Sequence, residues 1–205
     1  MLEFNEDRHE YKWNGVIVPS VTQILKPLTD FGRVPPAILE HARQEGVAIH
    51  KMVELELDGD LDIHALPPWM SPYYEAWRKF VKDTGFQCVG SEVRLYHHKL
   101  SYAGTADLIG EMSNVKGVNG LALIDIKRSL FAGAVIGLQL AGYADAWAAE
   151  DLMGIGKIKH RYALQLIHNG TYKLEPFNDP SDSSTFLACL TMHRWREKHN
   201  KGEKK

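Results

Sequence analysis

Leu121-Ala122-Leu123-Ile124-Asp125-Ile126-Lys127 reads as a buried β-strand that ends on a carboxylate and an ammonium. Side chains alternate faces along a strand, so Asp125 and Lys127 project together with Leu121 and Leu123 behind them, while Ala122, Ile124 and Ile126 project the other way. Both faces are apolar until the strand's end, the pattern of a central strand covered on two sides. A charged pair in that place is costly to desolvate unless each charge has partners. A strand-end ion pair is one solution; a divalent cation together with a phosphate is another.

Working upstream, Gly104-Thr105-Ala106-Asp107-Leu108-Ile109-Gly110 carries a second carboxylate, 18 residues before Asp125. That separation suits a strand, a turn and a return strand, which would bring the two carboxylates together. Gly104 and Gly110 would let backbone or substrate come close on either side of Asp107. Oxygen ligands of this kind suit Mg²⁺ or Mn²⁺, and such an ion can polarise a phosphodiester, generate hydroxide and stabilise a leaving oxygen. Lys127 would add a fixed positive charge for the pentavalent transition state or orient the water.

Outward from these strands the chain alternates its texture. Tyr11-Lys12-Trp13 and Val16-Ile17-Val18 flank Asn14-Gly15, a hairpin-turn dipeptide, and Ser20 with Gln23 forms a capping box ahead of a short helix stopping near Pro27. Helical patterns follow over 35–57, with Leu39, Gly46, His50, Val53 and Leu57 on one stripe, and over 72–84, carrying Tyr73, Trp77, Phe80 and Val81. Strands over 87–97, 101–112 and 121–127 read as an antiparallel meander. A helix over 132–151, strands over 162–168 and 171–177 around Asn169-Gly170, and a helix over 181–199 complete the chain. The expectation is one α/β (α+β) domain over 1–205, with a mixed central sheet flanked by helices. It comprises an N-terminal hairpin and short helix over 1–34, a catalytic core over 35–180, and a C-terminal helix with a basic tail over 181–205.

Composition narrows the function classes. A formal net charge of −2 argues against nucleic-acid binding by bulk positive charge, but allows a local basic groove beside an acidic metal site. The run from Arg194 to Lys205 reads as a solvated basic tail. Two cysteines, Cys88 and Cys189, are too few for a disulfide framework or an iron–sulfur cluster. No apolar stretch reaches the roughly 18 residues of a membrane span, and the acidic start lacks the features of a signal peptide. A cytoplasmic protein with no membrane contact is expected. His97 and His98 face opposite ways on a strand and read as exposed rather than as a metal pair.

Gly104-x-x-Asp107 followed by Asp125-x-Lys127 resembles the PD-(D/E)XK nuclease superfamily. Gln139-Leu140-Ala141-Gly142-Tyr143 is similar to the Q-x-x-x-Y motif of its RecB-like and phage-exonuclease-like branch, and Gly46-x-x-x-His50 to that branch's helical histidine. The resemblance covers roughly residues 19–177. It implies a restriction-endonuclease-like αβββαβ core, one or two Mg²⁺ or Mn²⁺ ions and no iron–sulfur cluster. The metal ligands it implies are Asp107, Asp125, the Ile126 carbonyl and His50, with Lys127 as catalytic lysine. Glu92 matches an upstream glutamate placed near the metals, while Gln139 and Tyr143 would position Lys127, the strand end or a DNA phosphate. Alanine precedes Asp107 where the superfamily's name has proline, a change that leaves metal ligation untouched.

The implied activity is exonucleolytic hydrolysis of DNA in recombination or repair. A phage setting in the host cytoplasm goes with it, as does a recombination or single-strand-annealing protein as partner. Other readings stay open at this point: a structure-specific or restriction-type endonuclease on the same site, a non-catalytic DNA-binding module, or a hydrolase of small phosphate esters. His50 alone would serve as a core histidine, and Tyr143 has Ile136, Leu140 and Trp147 within packing reach.

Overall fold

A computed structural model describes residues 1–6, 8–29, 35–130, 133–150, 154 and 156–200. Strands β1 (Leu2–Asn5), β2 (Glu10–Trp13) and β3 (Val16–Val18) form a small antiparallel sheet. Strands β4 (Phe86–His97), β5 (Tyr102–Met112), β6 (Ala122–Lys127), β7 (His160–Leu166) and β8 (Tyr172–Pro176) form a mixed sheet in that order. Neighbours are antiparallel except β6 and β7, which run parallel and are joined through a helix, as a parallel pair requires. The helices are α1 (Val21–Leu25), α2 (Pro36–Asp58), α3 (Ser71–Thr84), α4 (Val135–Glu150) and α5 (Asp182–Asn200).

Local chemistry sets the boundaries of these elements. Asn14 and Gly15 take φ of 49° and 79°, the left-handed pair that a tight hairpin turn demands. Ser20 accepts from the Gln23 amide while the Gln23 side chain accepts from the Ser20 amide, so the expected capping box starts α1. β1 was not legible, because its four residues alternate weakly and pair only once β2 is present. The expected ends of the fourth helix at Ala132 and Asp151, and residues Lys201 to Lys205 of the expected basic tail, lie outside the described residues, while its Arg194 to Asn200 part closes α5. Among the described residues no helix is long and apolar enough to cross a membrane.

The alternation read in β6 sorts two cores. Leu121 and Leu123 pack with Val21 of α1, Leu140 and Tyr143 of α4 and Phe186 of α5. Ala122, Ile124 and Ile126 pack with Ile49, Met52 and Val53 of α2 and Trp77 and Phe80 of α3. The sheet is thus sandwiched between α1, α4 and α5 on one side and α2 and α3 on the other. On α2 the buried residues are Ile49, Met52 and Val53, with Leu57 packed beside them; Val53 and Leu57 lie on the expected stripe, Ile49 and Met52 add to it, and His50 is at its margin.

The side of the sheet away from α4 has two covers. Tyr11 and Val18 of the small sheet lie over Tyr96 and Ala103, while α2 and α3 cover the remainder. Where the covers meet, the strands lose their alternation. Ala106 and Ile109, three apart on β5, both enter the α4-side core, so β5 slips by one between them. β4 is irregular opposite, with a bulge between Cys88 and Gly90 and with Glu92 at a φ of 48°.

The two glycines around Asp107 serve different contacts. A Cβ on Gly110 would meet the Gln87 carbonyl oxygen at 2.3 Å, so this glycine admits the neighbouring strand. A Cβ on Gly104 would lie 2.5 Å from Tyr143 Cε1, so Gly104 admits the Tyr143 ring. Gly46 has nothing within 4 Å of such an atom. Gly104→Ala is expected to destabilise the protein by about 1–3 kcal/mol through overpacking, and Gly46→Ala to leave stability unchanged or raise it by up to about 1 kcal/mol. Urea melts of the two variants measure both effects.

Candidate metal centre

The β5–β6 ladder runs from Gly110↔Ala122 to Leu108↔Ile124 and stops one pair short of Asp107 and Asp125. β6 continues to pair with β7 as far as Lys127, so β5 is the strand that leaves. Buried backbone groups still need partners. The Ile126 amide donates to Asp107 Oδ2 at 2.7 Å, and the Ile126 carbonyl lies 2.9 Å from His50 Nε2. Two side chains therefore satisfy Ile126 where the ladder has ended.

Because a carbonyl can only accept, Nε2 carries a proton, and Nδ1 is the ring nitrogen left facing the Asp107 and Glu92 carboxylates. Nδ1 lies 3.6 Å from Asp107 Oδ2 and 3.9 Å from Glu92 Oε1. One ligand atom each from His50, Glu92 and Asp107 fall within 4.8 Å of one another, a group that could hold a metal ion. Glu92 reaches it from the left-handed conformation noted above, a cost for a residue with a Cβ that places its carboxylate against Asp107 and His50. Carboxylate oxygens with one imidazole suit a hard or borderline divalent cation.

Behind this group lies a second set. Lys127 Nζ sits 2.6 Å from Asp125 Oδ2, and this ammonium, rather than a well-aligned hydrogen bond, balances that buried oxygen. Gln139 joins the set together: its Oε1 accepts from Lys127 at 3.3 Å, and its Nε2 faces Asp125 Oδ1 at 3.4 Å and donates to the Tyr143 hydroxyl at 3.1 Å. Burial pushes the Asp125 carboxyl up, and the Lys127 ammonium only partly opposes it. Burial would lower Lys127, but Asp125 and Asp107 outweigh it, so the ammonium stays charged. Side-chain exposure rises from 3% at Asp125 through 12% at Asp107 and 25% at Lys127 to 30% at His50 and 40% at Glu92, which puts the opening on the Glu92 side.

The residues that the resemblance implies for the site thus share one neighbourhood, in two sets. His50, Glu92 and Asp107 are within common reach of one ion. Asp125 is engaged by Lys127 and Gln139, and the Ile126 carbonyl by His50. His97 is half-buried against Tyr102, with ring centroids 5.2 Å apart, and His98 packs exposed against Trp13 and Tyr96; neither approaches the group. The two cysteines are free.

Two contributors escaped the sequence reading. Tyr11 of β2, fully buried, bonds Thr105 through its hydroxyl at 2.7 Å, two residues before Asp107. Arg128 Nε reaches Glu45 Oε2 at 2.8 Å and ties the end of β6 to α2 one turn ahead of His50. Neither carries a local signal, since each depends on contact between distant segments.

Compared with known proteins, the chain matches no family model and no curated sequence.

Burial pushes the His50 imidazole down, but Asp107 and Glu92 more than offset this and raise it from its ordinary 6.5 to about 9. A group bound more tightly to its proton in the fold stabilises the fold below its unfolded value and loses that contribution as pH rises through the folded one. Metal-free wild type should therefore exceed His50→Gln by on the order of 2 kcal/mol below about pH 6.5, and the gap should close as pH climbs past about 9 in urea melts. Binding of Mn²⁺ at pH 7 should release about one proton, seen by calorimetry in buffers of different ionisation enthalpy.

Proposed function

We propose that this chain is a metal-dependent nuclease that hydrolyses phosphodiester bonds in DNA, with a site of the PD-(D/E)XK kind. The observation that carries the reading is the convergence of His50, Glu92 and Asp107 on one point beside a charged Lys127, at the place where β5 parts from β6. Acidic oxygens and an imidazole beside a retained ammonium provide for a cation and for the anion it would bring. A divalent ion bound there, Mg²⁺ or Mn²⁺, would polarise a phosphoryl oxygen and lower the pKa of a water molecule.

The chain's own groups then have separable tasks. Asp107 and Glu92 supply the negative charge that holds the ion. His50, oriented by the Ile126 carbonyl, supplies the nitrogen and gives up its proton on binding. Lys127 offers positive charge to the non-bridging oxygens as the transition state gathers charge. Asp125, Gln139 and Tyr143 fix that ammonium in place, so they act as positioning residues. An exonuclease is the favoured form, on the resemblance of Gln139 to Tyr143 and of His50 to the phage-exonuclease-like branch. A restriction-type endonuclease would use the same groups and differ in substrate geometry.

End-labelled linear DNA and covalently closed circular DNA, each with Mn²⁺, Mg²⁺ or EDTA, test the proposal. Wild type should degrade the linear form with either ion and not in EDTA. Cleavage of the circle would point to the endonuclease form. Asp107→Asn keeps an acceptor for the Ile126 amide, so it should fold normally yet lose at least about 100-fold in rate, a loss in the range of several kcal/mol at the transition state. Lys127→Ala leaves Asp125 buried without its counter-charge and should lose about 3 kcal/mol of stability as well as activity, so its rate is read below its melting range. DNA binding without metal binding or nucleotide release would replace the nuclease with a non-catalytic DNA-binding module.

A further inference from the structure

Arg94 lies two residues from Glu92 on β4, and its guanidinium sits over the Phe4 ring, 5.6 Å from the centroid. Phe4 is in turn stacked on Tyr11 at 4.4 Å, with His9 against its edge. Among the described residues Arg94 makes no ion pair, although the Glu92 carboxylate is 40% exposed and close along the same strand. Phe4 stacks on Tyr11, whose hydroxyl bonds Thr105 two residues before Asp107, which places Arg94 on the site's side of the sheet. The cation is exposed, held by an aromatic plane and left free to take an anion.

Its position gives that anion a place. The site opens on the Glu92 side, and Arg94 follows Glu92 along β4 in the direction of the small sheet. Two residues of strand cover at most about 6.8 Å, and the left-handed turn at Glu92 shortens that, which keeps Arg94 within the reach from one phosphate to the next along an extended polynucleotide. A guanidinium presents a planar fork of donors that matches two phosphate oxygens.

We propose that Arg94, backed by Phe4, is a phosphate subsite that takes the phosphodiester one nucleotide away from the bond held at the His50–Glu92–Asp107 group. The inference rests on the nuclease reading and adds to it the path of the strand, which runs outward along β4 beside the small sheet. It also separates two kinds of substrate, since a diester with a single phosphate cannot use both places.

Two substrates and one binding measurement test this with Arg94→Ala and Arg94→Lys. Bis(4-nitrophenyl) phosphate has one phosphate and no neighbour, so Arg94→Ala should hydrolyse it at the wild-type rate with Mn²⁺. On a single-stranded oligonucleotide the same variant should show a KM raised roughly tenfold at an unchanged kcat, with Arg94→Lys intermediate. Fluorescence anisotropy of the oligonucleotide with Ca²⁺ in place of Mn²⁺ should show the slope of log K against log salt shallower by about 1 in Arg94→Ala. An unchanged KM and salt slope would overturn the subsite. An equal loss on both substrates would also overturn it, because Arg94 would then support the metal group or the fold. Wild type that neither binds nor cleaves the oligonucleotide is a different outcome, which removes the nuclease reading and the subsite with it.

Discussion

Ile126 sits where the central sheet comes apart, and its two backbone groups must find partners without a neighbouring strand. An unpaired amide or carbonyl at that depth costs about 1–3 kcal/mol. The amide takes Asp107 and the carbonyl takes His50. These two bonds bring a carboxylate from β5 and an imidazole from α2 to the same point, with their remaining atoms turned to the cleft. The cleft is a by-product of satisfying the backbone. Had β5 stayed paired for one more step, Asp107 would have faced Asp125 across a closed ladder and left no opening for a ligand.

The charges around that opening divide by depth. Asp125 is enclosed and Lys127 only partly so, and a buried pair of this kind contributes little stability that well-packed apolar residues could not match. It stands at the end of a strand that is otherwise alanine, leucine and isoleucine. Gln139 and Tyr143 reinforce the pair from α4, and Gly104 makes their approach possible by leaving space for the Tyr143 ring. The motif glycine and the motif tyrosine, 39 positions apart, are two halves of one contact.

Much of this was legible because it rests on local periodicity. The alternation in residues 121–127 sorted both cores, the Asn14-Gly15 turn and the Ser20/Gln23 box lie where their chemistry put them, and the three-strand meander is present. The misreadings came from features that periodicity cannot see. On α2 the apolar face takes in Ile49 and Met52 beside the expected Val53 and Leu57, and His50, a polar residue, stands at its margin. The slips in β4 and β5 reverse which side a residue faces, so Glu92 could not be assigned to the site from spacing alone. Tyr11 joins the neighbourhood, and Thr105 and Arg94 gain their aromatic partners, only through the small sheet's docking, a long-range contact with no local pattern.

The parallel pairing of β6 with β7 has a bearing on how the molecule is assembled. β6 receives β5 through a short connection, but its other edge stays open until α4 has formed and residue 160 has come back beside residue 122. Non-local pairings of this type carry a loop-closure cost before any contact repays it, and they are slow. The strand that bears Asp125 and Lys127 is thus clamped on both edges only late in folding. A partly folded chain would hold the acidic and basic groups without their geometry, so their arrangement arrives with the completed sheet and not by degrees.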